Sequence, residues 1–207
     1  GTVKSVSGVR KAKQFASVKD LFLRTAPGEK VSFPRNNIEK CGNIISQAAG
    51  RDEAVSAAEQ AAASIFIRLE PGAVRTGEFL FGPEGRWPPP AFRLTNPKNI
   101  SVLERMPPFT PGSPSETPVL MLPSLDSENE KEWHGIGLQE AVNRILMETP
   151  CSTLIPGRIF WHALLRGGIQ GGIWVLDTLK AAERKDTAGE QGESPKKVID
   201  EWNERCR

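Results

Sequence analysis

Along the first seventy residues the apolar positions change period several times. Residues 2–8, TVKSVSG, alternate valine with polar side chains and end in glycine, the pattern of a half-buried strand. Residues 9–16, VRKAKQFA, have room for two helical turns, and VKDLFLRT at 18–25 returns to a strand-like run with Val18, Leu21 and Leu23 apolar. The following APGE carries Pro27 and Gly28 in the order a tight turn uses, because proline presets its own φ and glycine accepts a positive one. KVSF at 30–33 alternates again and stops at Pro34, and NIISQAA at 43–49 reads as another short strand closed by Gly50. Residues 52–69 predict the clearest helix. Asp52 and Glu53 suit the unpaired amides of a first turn, the alanines favour helix, and Val55, Ala58, Ala62, Ile65 and Leu69 share one stripe. Pro71 and Gly72 end it. Four strands and two helices in alternation predict an α+β unit, a small, mostly antiparallel sheet with an Ala-rich helix packed on it.

The pattern then breaks. PEGRWPPPAFRL and MPPFTPGSPSETP hold too many prolines for interior strands or helices, so residues 71–130 read as an extended, irregular belt, with VLMLP at 119–123 as one short strand. SLDSENEKE at 124–132 reads as a solvated acidic run. Helical spacing resumes at 137–149, where Leu138, Val142, Ile145 and Leu146 fall on one face, and over much of the apolar segment 158–184. KDTAGEQGESPKK has the composition of a disordered tail, and VIDEWNER adds a final turn or two of helix. The expected organisation is an α+β unit at 1–72, a Pro-rich segment at 73–132, C-terminal helices at 133–184 and a flexible tail at 185–207.

Composition narrows the function classes. With 17 prolines and 19 glycines in 207 residues, a folded part and a looser part are expected. A net charge of +2 gives no basic face, so nucleic acid is not an expected partner. Cys41, Cys151 and Cys206 are far apart and lack C-x-x-C spacing, which argues against structural zinc and a disulfide framework and favours a reducing, cytoplasmic compartment. The chain starts at Gly1 and runs at once into strand-like sequence, with no charged-then-apolar leader, so it reads as a domain cut from a longer chain or a truncated product.

Several motifs invite chemistry. RGGIQGGIW at 166–174 lacks the Gly-Lys-Ser/Thr ending of a phosphate loop. Its Gly167/Gly171 and Gly168/Gly172 pairs fit either a small-residue helix face or a break between two helices. Residues 159–179 are long enough to span a bilayer, but Arg166, His162, Gln170 and Asp177 oppose insertion, a central charge costing roughly 2.5–3.5 kcal/mol. A helix covering a hydrophobic groove with Phe160, Trp161, Leu164, Leu165, Ile169, Ile173 and Trp174 fits better. His134 and His162 lie in different segments without a third metal ligand. Cys151-Ser152 would need a base brought near by the fold, and Arg86, Trp87 and Arg93 around the PPP run suit a tied-down loop better than a ligand site.

One ordered set stands out: GTVKSVSG, a short helix, VKDLFL, APGEKV, NNIEKCGNII, then GRDEAV opening the helix and a closing IFI. It resembles the C-terminal lobe of ATP-grasp carboxylate–amine ligases, most of all the L-amino-acid ligase branch, and it covers about the first third of the chain. The corresponding positions are Pro27-Gly28, Lys40-Cys41-Gly42, Gly50 and Asp52-Glu53. Where the family commonly has Arg before x-Gly, this chain has Lys40, the substrate-pocket candidate. The resemblance implies a parent activity of ATP-dependent amide formation between a carboxylate and an amino compound, with ATP and Mg2+ gripped by upstream lobes. On this chain alone no catalytic, cofactor-binding or metal residue is expected; it reads as a closing lobe, catalytically incomplete, whose partners are those upstream lobes or another protein. The rival is a non-enzymatic interaction module that binds through the Pro-rich belt and the 158–179 helix.

Overall fold

Gly8 makes the first corner. It sits at φ +81°, and a Cβ there would lie 1.7 Å from the Ser64 carbonyl oxygen, so only glycine lets the start of the chain press against the end of the long helix. The structure, a computed structural model, describes residues 1–83, 88–94, 96–106, 131–133, 135–149, 157–188 and 195–205. It contains two units, Gly1–Ala73 and Val74–Arg207.

In the first unit β1 (Val3–Ser7) leads through Gly8 into α1 (Val9–Ala12), a single turn rather than two. β2 (Val18–Leu23) pairs antiparallel with β3 (Gly42–Ser46), Leu21 opposite Ile44 and Phe22 opposite Asn43. α2 (Arg51–Ala63) carries Asp52 and Glu53 in its first turn. β4 (Phe66–Leu69) then returns antiparallel to β1, Ser7 opposite Phe66 and Val3 opposite Leu69. The α+β class is as expected, but the sheet is two separate two-stranded ladders.

Two elements change identity. The helix expected over 52–69 stops at Ala63 because Ser64 turns its hydroxyl back onto the Gln60 carbonyl, and Phe66, Ile67, Arg68 and Leu69 go to the ladder with β1. KVSF makes no strand: Lys30 forms one isolated bridge with Thr2, and Pro34 has no N–H to continue it. The buried stripe of α2 is also rotated from the expected one, with Ala61 and Ala63 buried and Val55 exposed. Ala61 packs with Ala12 and Leu21, flanked by Val9, Phe15, Val18, Ile44 and Ile65.

The second unit is helical. The Pro-rich stretch holds α3 (Val74–Phe81), whose Leu80 and Phe81 are buried, and α4 (Pro97–Glu104), where Asn96 accepts the Lys98 amide at 2.9 Å and Pro97 occupies the first turn. α5 (Leu138–Glu148) buries Leu138, Val142 and Ile145 as its spacing predicts, but Leu146 is exposed. α6 (Gly157–Ala188) is broken at Gly168, at φ 61° and ψ −155°. α7 (Pro195–Arg205) contains the short helix expected at VIDEWNER and begins three residues before it. VLMLP and residues 124–130 lie outside the described residues.

The break in α6 answers both readings of the glycine repeat. Gly168 bends the chain, and Gly171 and Gly172 then let its second half meet the first. A Cβ on Gly171 would lie 2.1 Å from the Ala163 carbonyl oxygen, and one on Gly172 3.2 Å from the Phe160 ring. The backbone groups released at the bend are taken up by distant segments. Phe92 and Ala91 amides donate to the Leu165 and Arg166 carbonyls at 3.0 and 3.3 Å, and the Ile169 amide donates to Glu132 Oε2 at 3.3 Å. Arg166 donates to the Pro88 carbonyl at 2.6 Å and lies 4.4 Å over the Phe79 ring.

Candidate functional site

The region that carries the resemblance is the long connection between β2 and β3. Its Pro27-Gly28 turn is tied to β1: the Gly28 amide donates to the Val3 carbonyl, and the Val3 amide to the Glu29 carbonyl, each at 2.8 Å. Glu29 reaches back to accept the Ala26 amide at 2.8 Å, so the turn is held by its own side chain as well as by the strand. Gly28 sits at φ +90°, as the sequence requires of that position.

Further on, Asn36 builds a local knot. Its Oδ1 accepts the amides of Ile38 and Glu39 at 2.9 and 3.1 Å, and Glu39 accepts the Arg35 amide at 2.8 Å and the Asn36 amide group at 3.1 Å. The knot leaves Ile38 84% exposed. Lys40 follows at once, exposed, directly ahead of the half-buried Cys41 and the first residue of β3. The Arg24 amide donates to the Cys41 carbonyl at 2.8 Å, which fixes where Lys40 leaves the backbone. Burial pushes the Cys41 thiol above its ordinary value.

A concavity of this unit lies away from Lys40. A depression of about 200 Å³ opens between residues 15–17 and α2, lined by Phe15, Ser17, Glu53, Ser56 and Gln60, and Lys40 is not among its lining residues. It presents one carboxylate, hydroxyls and an amide, and no cation. A nucleotide triphosphate needs positive groups or a bound metal around its oxygens. Among the described residues no three His, Cys, Asp or Glu side chains come together to hold a metal ion. The residues that line this depression do not fit Mg-ATP.

The other sequence candidates separate rather than converge. His162 and Arg93 are exposed, while His134, Arg86, Trp87, Cys151, Ser152 and Cys206 lie outside the described residues. The apolar side chains expected to cover a partner's groove are turned inward: Phe160, Trp161, Leu164, Ile169, Ile173 and Trp174 are buried in the core of their own unit. Among the described residues no helix is long and apolar enough to cross a membrane. Glu132, the last residue of the expected solvated run, is buried at the α6 break. Nothing in the sequence marks it, because its role depends on a helix bend thirty-odd residues downstream.

The order of parts in the first unit therefore counts for more than any single group. Residues 1–70 match the family described as L-amino acid ligase C-terminal domain 2. The resemblance read from the β-turn-β-helix order of this segment is thereby borne out, and the ligase-domain match coincides with the unit Gly1–Ala73. No curated protein and no solved structure matches the chain.

Proposed function

We propose that the ligase C-terminal domain 2 formed by residues 1–70 serves as a closing lobe of an enzyme that joins a carboxylate to an amino compound at the expense of ATP. The observation that carries this reading is the family match on a unit whose turn, knot and helix are all ordered. ATP and Mg2+ belong, in this reading, to other lobes of the ligase, and this lobe contributes shape and one exposed cation, Lys40. An ammonium at the mouth of a pocket orients a carboxylate by charge and tolerates more than one geometry, unlike the two-pronged grip of an arginine.

Titration calorimetry of the 207-residue chain with Mg-ATP tests the division of labour: no heat of binding is expected, and micromolar affinity would overturn it. In the ligase that carries this domain together with its ATP-binding lobes, Lys40→Ala is expected to raise KM for the carboxylate about tenfold, in the range of one lost charged hydrogen bond, with a smaller change in kcat. An unchanged KM removes Lys40 from the pocket.

A further inference from the structure

Lys40 has a second cation beside it. From the end of β2 to the start of β3 the chain carries four cations, Arg24, Lys30, Arg35 and Lys40, and two carboxylates, Glu29 and Glu39. Both carboxylates are turned onto local amides. Glu29 accepts the Ala26 amide, and Glu39 accepts the Arg35 amide and the Asn36 side-chain amide. Among the described residues, neither Arg24 nor Lys40 forms an ion pair.

Arg24 is tied to the segment from which Lys40 extends. Its amide donates to the Cys41 carbonyl at 2.8 Å, and its Nη1 donates to the Asn37 carbonyl at 3.3 Å. The guanidinium therefore lies against the Asn36 knot, within the few residues that lead to Lys40. That bond uses one of five guanidinium donors. The Nε–Nη2 edge has no partner among the described residues, and it is an edge that can meet both oxygens of a carboxylate at once. Arg24 and Lys40 are both exposed, so an anion can approach either.

We propose that Arg24 and Lys40 together bind a carboxylate, Arg24 through its two-pronged edge and Lys40 as a point charge on one oxygen. Lys40 alone would attract an anion without orienting it; the planar fork of Arg24 fixes the plane of the carboxylate and disfavours a spherical anion. That the carboxylate is the one a ligase activates rests on the function proposed above. The pairing of the two cations does not.

The test is N-acetylglycine, a carboxylate without an ammonium group, titrated into the isotope-labelled 207-residue chain while the backbone amide signals are followed. Saturable shifts in the millimolar range are expected at residues 24 and 37–41, and none with the neutral N-acetylglycinamide. Arg24→Gln and Lys40→Gln are each expected to weaken binding at least about fivefold, with the Phe22 and Asn43 amide signals of the β2–β3 ladder in place. Arg24→Lys keeps the charge and loses the fork, and a loss of at least about threefold is expected. Absence of saturation in the unaltered chain, shifts centred elsewhere, a smaller loss in either Gln variant, or undiminished binding by Arg24→Lys overturns the proposal. Such a failure leaves the ligase reading to the KM of the Lys40→Ala enzyme. An unchanged KM there, with binding here, removes the substrate and keeps the site.

Discussion

Among the described residues the two units bury side chains of very different size. In the first, the buried hydrophobic residues are mostly small, Ala12, Ala61 and Ala63 beside Val3, Leu21 and Phe66, while Phe22 and Ile45 of the β2–β3 ladder stand about half exposed. In the second, Phe160, Trp161, Leu164, Ile173 and Trp174 are almost wholly enclosed. Two-stranded ladders are marginal without a broad apolar face to cover, and an alanine helix brings little area to cover one with. The second unit holds itself together by packing. The first, with the family likeness, is specified by glycines, turns and side-chain-to-backbone bonds. A family signature can reside in backbone geometry rather than in a core.

The contrast can be broken at three points. The largest effect is expected for Phe160→Ala, which empties a site against Gly172. It should destabilise the second unit by about 3–5 kcal/mol in denaturant titration while the first unit's amide signals stay in place. Loss of both units together would show that they share one transition. Gly8→Ala comes next, at about 2–3 kcal/mol, because an alanine at φ +81° meets the Ser64 backbone. With so small a core the first unit should lose its β1–β4 amide protection altogether, and retained protection would mean the corner relaxes. The smallest effect concerns Cys41. Its thiol is raised by burial, so at a pH below its native pKa it holds less thiolate than the unfolded chain does. Alkylation at pH 8 should be several-fold slower than in urea, and its rate–pH curve should be displaced upward. A rate–pH curve in the native protein that coincides with the one in urea would contradict the burial.

Sequence reasoning reached the first unit better than the second for the same reason. β1, β2, β3, the Pro27-Gly28 turn and the start of α2 are written in local alternation and punctuation, and these also carry the family likeness. What it misread depends on distant contacts. Residues 66–69 leave the helical pattern only because β1 offers an edge sixty residues earlier. The slot that Phe81 and Trp174 supply for Trp202 is equally remote, although the helix at VIDEWNER is itself legible. α4 is a different case: Asn96-Pro97 is a legible helix start, masked by the density of prolines around it. Lys40 was placed by likeness, and the structure adds its exposure and the knot that precedes it.

The bend at Gly168 also has a kinetic consequence. Its backbone groups find partners only when residues 91–92 and Glu132, dozens of positions earlier in the chain, have already arrived. Helical proteins ordinarily assemble fast because their contacts are local. Here the central rod cannot take its final shape until three remote stretches meet, so the helical half of this protein should refold more slowly than its helix content suggests.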